Sequence, residues 1–268
     1  MTMKYKIGDV SNMLHLSDQM IRYYEKNGVI FPERKENSTY RLYSAMDVFL
    51  LFDAMRYKEL GININEIPDL LSNDFFVKYT QKISEREKKL NEEQQRKQML
   101  IERLEEIRKK IYLCSYNQKN YWVDENPEQV IYEIGPAKGD DYDQLDMNFA
   151  MSNVIYDSDY ISFFDAGFEF QDDVQMWNYA IRKRYHDALN MKDVGKCQIL
   201  KKQLCLCTIA DLGELGKLNQ HCANNAIAYV KKHGYHQAGN PRAVIIGRGG
   251  VDHRFTRLVE IMIPIESL

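Results

Sequence analysis

The chain has 268 residues, of which 44% are hydrophobic and 28% charged, and its net charge is −3. This length suits two domains with a connecting element, and the composition is typical of a globular protein with real cores. The charge excludes a generally basic protein, so any nucleic-acid contact must come from a local patch. The sequence lacks a run of about 18 apolar residues and a signal-like start, which predicts a cytoplasmic protein without a membrane partner. Five cysteines without paired spacing favour reduced thiols over disulfides.

Residues 4–72 predict short helices separated by turns. The stretch KIGDVSNMLHL has apolar residues at helical spacing. Ser17 is suited to cap the N-terminus of a second helix, and Asn27-Gly28 supplies its end. Two short helices joined by a turn predict a helix-turn-helix.

A β-hairpin is predicted in VIFPERKENSTYRLY, where two strand-like pieces flank the turn-rich KENST. Ser44 and Asp47 resemble a capping box that opens the next helix, which runs to Gly61. Asn63 and Glu66 repeat the same spacing before another helix. The region therefore predicts a winged helix-turn-helix.

Residues 75–120 predict one long charged helix with apolar residues seven apart, most regular from Leu100 onward. The positions are Ile83, Leu90, Leu104 and Ile111 in one series and Leu100, Ile107 and Cys114 in the other, with Lys97 interrupting the first. Such a stripe favours a coiled-coil dimerisation helix, because a helix this long has no core of its own. Packing on its own globular domain is the alternative.

Residues 121–128, YWVDENPE, read as a linker, and the remainder predicts strands with helices between them. The strands are VIYEIG, DYISFFDAGFEFQ, KQLCLCTIAD, RAVIIGRG and TRLVEIMIPI, and the helices are Tyr142–Met151, Val174–Leu189 and Leu215–Lys232. The order of elements, a strand, then a helix, then further strands, occurs twice along this part of the chain. This repetition predicts an α+β domain with an internal duplication. The predicted domains are residues 1–74, 75–120 and 121–268.

The N-terminal residues contain, in this order, the motifs IGDV, IRYYEKNG, Pro32, YRLY and KELG. Motifs in this order and spacing resemble the DNA-binding domain of MerR-type bacterial transcription regulators over about 63 residues. The resemblance implies a homodimer that binds double-stranded promoter DNA and responds to an effector. It also implies that the dimer bends and untwists the promoter spacer, which aligns the promoter for RNA polymerase.

A helix capped by Ser17 presents its N-terminal side chains toward base edges, and Gln19 can pair an adenine there. Arg22 can bridge phosphate oxygens, and tyrosine hydroxyls can donate to the DNA backbone. By resemblance, Arg22, Tyr23, Tyr24 and the wing residue Arg41 hold that backbone. For Tyr24, Tyr40 and Tyr43, packing inside the domain is the alternative. The candidate DNA contacts are Ser17, Gln19, Arg22, Tyr23, Tyr24, Tyr40, Arg41 and Tyr43.

The C-terminal residues resemble the effector domain of BmrR-like, multidrug-responsive MerR regulators, which belongs to the GyrI-like group. The marks are FEFQ, KQLCLCTIAD and RLVEIMIPI. The resemblance implies a small-molecule effector, often an aromatic cation, held by aromatic rings and a carboxylate. Ala243 occupies the place expected for that carboxylate, which leaves Glu169 and Glu260 as alternatives. The candidates are Tyr142, Phe168, Glu169, Phe170, Trp177, Tyr229 and Glu260. A solvent position is the alternative for Glu169 and Glu260, and a core position is the alternative for Trp177 and Tyr229.

Two other functions are weighed against this one. MerR relatives that sense metals place cysteines after the dimer helix, near Cys114, but one thiol per chain is too few for the usual sites. Some GyrI-like domains are hydrolases, but no motif here ties a histidine to a nucleophile or carboxylate. We therefore expect no enzyme activity, no cofactor and no metal.

Overall fold

The structure, a computed structural model, describes residues 3–34, 40–71, 74–116, 120–145, 160–171, 174–191, 197–214, 216, 218–219, 221–251 and 254–266. The chain divides into two compact units, residues 1–95 and 96–268. Each unit contains helices and strands, which confirms the α+β fold class. The boundary lies inside the long helix, which the sequence-based division treats as a separate part.

The N-terminal unit contains short helices and a small sheet. Its elements are β1 (Lys4–Tyr5), α1 (Ile7–Leu14), α2 (Asp18–Lys26), β2 (Glu33–Arg34), β3 (Arg41–Ser44), α3 (Ala45–Glu59), α4 (Ile67–Leu70) and the start of α5 (Phe75–Tyr116). The strands pair antiparallel in the order β1-β3-β2. This arrangement confirms the winged helix-turn-helix; the predicted hairpin turn at 35–39 lies outside the described residues.

The predicted helix caps are present. Ser17 Oγ accepts a hydrogen bond from Met20 N at 3.2 Å, and Gly28 follows the helix with φ +73°. Ser44 Oγ accepts from Asp47 N at 3.1 Å, while Asp47 Oδ2 accepts from Ser44 N at 2.7 Å. These bonds satisfy the orphan N–H groups at each helix start and set the directions of α2 and α3.

Helix α5 spans 42 residues, Phe75–Tyr116, against the predicted 75–120. Several residues of the predicted stripe are exposed, namely Leu90, Leu100, Leu104 and Ile111. Cys114 is buried instead, and Glu260 of the C-terminal sheet contributes to raising the pKa of its thiol. One end of the stripe therefore follows the alternative of packing on its own domain. None of the described helices is both long enough and apolar enough to span a membrane.

The C-terminal unit is built on one large antiparallel sheet. Its further elements are β4 (Tyr121–Asn126), β5 (Gln129–Ala137), β6 (Phe164–Gln171), β7 (Val174–Arg182), α6 (Lys183–Ala188), β8 (Cys197–Leu200), β9 (Gln203–Asp211), α7 (Asn224–Lys232), β10 (His236–Gln237), β11 (Arg242–Val251) and β12 (Arg254–Glu266). The described strands are ordered β4-β9-β12-β11-β6-β7-β5-β8, with β10 on β12.

The sheet has an internal repeat that matches the predicted duplication. One half runs β9-β12-β11 and the other β5-β7-β6, and the halves join where β11 pairs with β6. A large buried cluster lies on one face of the sheet and includes Phe168, Ile261 and Val230 of α7. The two faces therefore differ, and α7 covers part of the apolar one.

The secondary structure predicted for two segments is wrong. Val174–Leu189 is not one helix, because Val174–Arg182 forms β7 between β6 and β5 and only Lys183–Ala188 is helical. Pairing on both sides overrides the local helical preference of this stretch. The predicted linker 121–128 contains β4, which pairs with β9 before Pro127 ends the strand.

Two other predicted helices are shorter than expected or fall largely outside the described residues. The segment Tyr142–Met151 begins with a non-helical turn over 142–145, and its remainder lies outside the described residues. Within Leu215–Lys232, the helix begins only at Asn224. Among the described residues, the first half of the duplication therefore shows its strands and the short helix α6.

A buried ion pair fixes the loop after β5 to strand β12. Arg257, 2% exposed, donates to both carboxylate oxygens of Asp140, at 3.0 Å for Oδ2, and to Gly213 O at 2.9 Å and Glu214 O at 2.7 Å. Burial raises the pKa of Asp140, but hydrogen bonds from Arg257 and Tyr142 outweigh it and lower the pKa. The loop is thus held by a charge pair with little access to water, since the side chains of Arg257 and Asp140 are 3% and 11% accessible.

We expect Arg257→Met to lower the free energy of unfolding of the C-terminal unit by about 3–5 kcal/mol, because it leaves Asp140 buried without a counter-charge. Urea unfolding followed by tryptophan fluorescence measures this, since Trp122 and Trp177 both belong to that unit.

The matched control is Lys202→Met, which removes the exposed pair to Glu125, whose side chains are 64% and 55% accessible. That change should stay within about 0.5 kcal/mol. Equal effects of the two substitutions would contradict a stabilising role for Arg257.

Candidate DNA interface and small-molecule site

Helix α2 presents one face to the domain core and the other to solvent. Ile21 is buried, while Gln19, Arg22 and Tyr23 are exposed, with Tyr23 at 48%. The three exposed side chains come from the first and middle turns of α2. Arg22 offers a planar fork for phosphate oxygens, Tyr23 a hydroxyl donor and Gln19 an amide for a base edge.

Tyr24 is a correction to the sequence-based expectation. Its side chain is only 1% exposed and packs with Ile21 and Val10 in the core of the N-terminal unit. Tyr43 is fully buried in the same core, and its hydroxyl has no hydrogen-bond partner within the described ranges. Burial raises the pKa of both tyrosines. Neither ring reaches a surface where DNA could lie, because both are buried. Tyr24 points inward while Tyr23 points outward, since successive residues of α2 point about 100° apart.

The wing residues differ from each other. Tyr40 is 75% exposed. Arg41 donates from Nε to Glu25 Oε2 at 2.7 Å, with both side chains partly buried. This pair links β3 to α2, so the Arg41 guanidinium is partly engaged inside the domain and offers its remaining N–H groups outward.

Four predicted ligand residues come together on one face of the C-terminal sheet. Phe168 and Trp177 are directly opposite across β6 and β7, with ring centroids 4.8 Å apart. Phe170 contacts Phe168 at 5.0 Å, and Tyr142 lies edge-on to Trp177 at 5.5 Å. We call Tyr142, Phe168, Phe170 and Trp177 the aromatic cluster. The indole Nε1 of Trp177 is buried and has no acceptor in the part of the chain that the structure describes.

The loop held by Arg257 orients Tyr142. Its hydroxyl donates to Asp140 Oδ1 at 2.7 Å. Burial and this carboxylate together raise the pKa of Tyr142 to about 12. The ring is therefore neutral at physiological pH and held in one position beside Trp177.

Tyr229 lies apart from the aromatic cluster although it packs against the same core. It is stacked between Tyr121, 4.0 Å away, and His233, 3.8 Å away. This stacking accounts for its ring as a structural contact between α7 and β4.

The predicted carboxylates are not with the aromatic rings. Glu169 follows Phe168 in β6, and Glu260 precedes Ile261 in β12, so both point to the opposite face. Glu169 accepts from Asn240 Nδ2 at 2.9 Å. Glu260 is 8% exposed and pairs with Lys110 Nζ of α5 at 2.8 Å. The expected pocket of rings around one of these carboxylates is therefore wrong for this chain.

A cleft of about 820 Å³ lies on this opposite face, between the sheet and the C-terminal half of α5. Glu260, Cys207, Val244 and Met262 line it from the sheet, and Lys110 lines it from the helix. We call this space the helix–sheet cleft. It combines apolar floor residues with charged walls.

Cys114, Cys205 and Cys207 are buried small side chains, whereas Cys197 and Cys222 are partly buried. Burial raises the pKa of Cys114 to about 11 and that of Cys205 to about 12. The same cause raises the pKa of Cys207 and brings that of Cys222 to about 12. These thiols are protonated at neutral pH, and the described residues contain no group of three or more His, Cys, Asp or Glu arranged for a metal.

Sequence reasoning missed Asp140, Arg257 and Lys110. Arg257 carried a usable signal, because a basic residue within the apolar stretch TRLVEIMIPI requires a buried counter-charge. Lys110 carried none, since many lysines and arginines occur along the same helix. Its partner depends on which face of α5 meets the sheet.

Comparison with known proteins identifies the N-terminal domain. The family model for "MerR HTH family regulatory protein" matches residues 5–74. Over 70 residues the chain is 43% identical to the mercuric resistance operon regulatory protein of Bacillus cereus, covering 26% of this chain and 52% of that protein. Over 66 residues it is 39% identical to heavy metal-dependent transcription regulator 2 of Rhizobium meliloti, covering 25% and 45%.

The chain spans about half the length of these curated relatives, and the matched part is the N-terminal domain alone. A cryo-EM structure of an EcmrR–DNA complex aligns over 98% of this chain and 100% of its own, at 16% identity and a TM-score of 0.37. A similarity at that level transfers neither a ligand nor a partner. The assignment rests on residues 5–74: the N-terminal domain of this chain belongs to the MerR family of helix-turn-helix regulatory proteins.

Proposed function

We propose that this protein is a DNA-binding transcription regulator whose C-terminal unit senses a small organic molecule. The observation that carries the proposal is the exposed row Gln19, Arg22 and Tyr23 on α2, in the domain matched by the family model. Arg22 and Tyr23 hold phosphates, and Gln19 reads a base in the major groove. Ser17 caps the helix, and Tyr40 and Arg41 extend the contact through the wing.

The regulator acts as a homodimer on promoter DNA. Leu90, Leu100, Leu104 and Ile111 of α5 are exposed apolar residues that a second copy of the helix would cover. Two domains gripping one duplex through phosphates can offset the cost of bending and untwisting the spacer. Such distortion aligns the promoter for RNA polymerase and activates transcription when the effector is bound.

The effector is an aromatic compound that inserts at the aromatic cluster. Phe170 and Tyr142 are the partly buried rings of the cluster and border the buried Phe168 and Trp177, whose Nε1 is a hydrogen-bond donor without an acceptor among the described residues. Asp140 is the carboxylate beside these rings, and Arg257 already neutralises it. A neutral aromatic effector therefore fits this face.

Metal or thiol sensing is the second candidate, because the matched relatives are named for mercury and heavy metals. The raised pKa of Cys114, about 11, disfavours a thiolate ligand there. Hydrolysis has less support still, since no motif in the sequence ties a histidine to a nucleophile.

We expect Arg22→Ala to weaken binding to a duplex selected from random sequences by about 10- to 100-fold, because each chain loses charged contacts to phosphate. The slope of log K against log salt should become shallower by about one per chain. Fluorescence anisotropy across a salt series measures both. An unchanged affinity and slope would remove Arg22 from the interface.

Tyr23→Phe and Tyr24→Phe form a matched pair, since the two neighbours differ in exposure, 48% against 1%. Tyr23→Phe should weaken DNA binding by about 2- to 10-fold through loss of one hydrogen bond. Tyr24→Phe should leave affinity unchanged in the same assay. The reverse pattern would contradict the assigned orientation of α2.

The dimer seam is tested by Leu100→Glu combined with Leu104→Glu. Each leucine lost from a buried seam costs about 1.5–3 kcal/mol, so sedimentation equilibrium should show a dissociation constant at least about 100-fold higher. Arg108→Glu is the control, because it places the same acid on an exposed position of the helix. A dimer that survives the double substitution would locate the interface elsewhere.

Effector binding is tested by thermal shift of the full chain with neutral aromatics, aromatic cations and mercuric ion. A ligand at 100 times its dissociation constant stabilises by about 2.7 kcal/mol, or several degrees. We expect the shift with neutral aromatics to disappear in Tyr142→Ala and to persist in Tyr116→Ala, an exposed tyrosine. A shift with mercuric ion alone would favour the metal alternative.

A further inference from the structure

Strand β11 places a buried arginine on the face of the sheet that is turned toward α5. Arg242 is 4% exposed, and it precedes Ala243, whose side chain belongs to the apolar face with Phe168. Since neighbouring residues of a strand point to opposite faces, the guanidinium of Arg242 lies on the α5 side. The family match covers residues 5–74 and gives this arginine no role.

The guanidinium of Arg242 is not satisfied by the protein. Its Nη1 is buried and has no hydrogen-bond acceptor among the residues that the structure describes. Burial lowers the pKa of Arg242, and the nearby Glu169 does not compensate for the lost water. The group is nevertheless charged, because arginine is not deprotonated in proteins. A buried charge without a partner is costly, so it indicates an ion or a ligand that completes the site.

The carboxylate nearest along the sheet is directed elsewhere. Glu169 lies directly opposite Arg242 in the neighbouring strand β6. Its Oε1 accepts hydrogen bonds from Asn240 Nδ2 at 2.9 Å and from Gln171 Nε2 at 3.0 Å, both on exposed side chains. Glu169 is therefore engaged at the surface, and the buried guanidinium is left without a counter-charge in contact.

The surroundings of Arg242 on this face are apolar. Met262 lies opposite Arg242 in β12, Cys207 lies opposite Met262 in β9, and Trp122 lies opposite Cys207 in β4. Cys207, Met262 and Val244 belong to one buried cluster, against which Trp122 packs. Burial raises the pKa of Cys207, so its thiol is uncharged and behaves as a small apolar group.

A second unsatisfied donor borders the same apolar strip. The Nε1 of Trp122 is buried and lacks an acceptor within the described ranges. Trp122 and Arg242 stand at the two ends of the row that contains Cys207 and Met262. Indole and guanidinium nitrogens donate hydrogen bonds and accept none. This strip therefore suits a ligand that combines acceptor atoms with a hydrocarbon body.

The helix–sheet cleft gives access to this strip. Met262 and Val244, which flank Arg242, line the cleft, whose volume of about 820 Å³ falls in the range of pockets for small molecules. Three carboxylates of its wall, Glu106, Asp165 and Glu260, are each paired with a basic side chain. Since these pairs neutralise much of the wall charge, a ligand with one negative charge can occupy the cleft.

We propose that Arg242 binds the carboxylate of an organic monocarboxylic acid, whose apolar body lies over Met262 and Val244 in the helix–sheet cleft. A guanidinium holds a carboxylate through two parallel N–H bonds. One carboxylate matches the single charge of Arg242, whereas a dianion would leave one charge buried and unpaired. Burial of the hydrocarbon body supplies the remaining driving force.

This inference goes beyond the proposed function, because it assigns an anionic ligand to the face of the sheet opposite the aromatic cluster. The probes are hexanoate and its neutral isostere hexanamide, whose aliphatic chains avoid a preference for aromatic rings. Isothermal titration calorimetry of the full chain should show one hexanoate site per chain. Hexanamide should bind at least about tenfold more weakly, because it cannot neutralise the guanidinium.

Arg242→Met should bring the affinity for hexanoate down to that for hexanamide. Arg248→Met is the matched control, since it makes the same change at an exposed position of the same strand. That control should leave the affinity for both probes unchanged. Equal binding of the two probes by the unmodified protein, or no binding of hexanoate, would overturn the site.

Unfolding by urea without ligand separates this site from a purely structural arginine. Arg242→Met should raise the urea midpoint, because an apolar side chain replaces a buried charge that has no partner. Glu169→Gln should leave the midpoint unchanged. A lower midpoint in both variants would mean that Arg242 and Glu169 pair with each other, which would overturn the site. None of these outcomes changes the test of the aromatic cluster through Tyr142→Ala.

Discussion

The two-residue alternation of the C-terminal sheet is the constraint on which the rest of that unit depends. Neighbouring residues in a strand face opposite sides. Ala243 and Ile261 therefore belong to the apolar face, and Val244 and Glu260 to the face toward α5. A shift of register by one residue would exchange the two chemistries. The antiparallel pairing thus separates an aromatic surface from a charged one within a single layer.

Because the charged face of the sheet is turned toward α5, this helix attaches to the C-terminal unit through charged side chains. Arg103, Glu106 and Lys110 lie three and four residues apart, so they share one helix face. They meet charges from several strands, whereas Leu100 and Leu104 remain exposed. One stretch of helix therefore has a polar face fixed to the sheet and an apolar face open to a second copy. The heptad stripe read from the sequence describes the apolar face of α5 and not the charged face that contacts the sheet.

Local signals in the sequence predicted what depends on neighbours along the chain. The caps at Ser17 and Ser44 and the turn at Gly28 were predictable, because each involves residues within a few positions. Burial of Tyr24 was not, since a motif shows which residues recur and not which way each points. The strand Val174–Arg182 was missed because its state is decided by pairing with β5 and β6, far away in sequence. The meeting of Lys110 with Glu260 depends on the same long-range packing.

The placement of charge also limits what each face can recognise. On the aromatic side, the carboxylate of Asp140 is neutralised by Arg257, whose buried guanidinium cannot leave without exposing a charge to the core. A cationic ligand would find rings there but no free counter-charge. On the other side, Glu260 pairs with Lys110, whose side chain is 31% accessible. Since the cost of releasing a buried counter-ion decides whether another cation can replace it, the pair between Asp140 and Arg257 is the more difficult of the two to exchange.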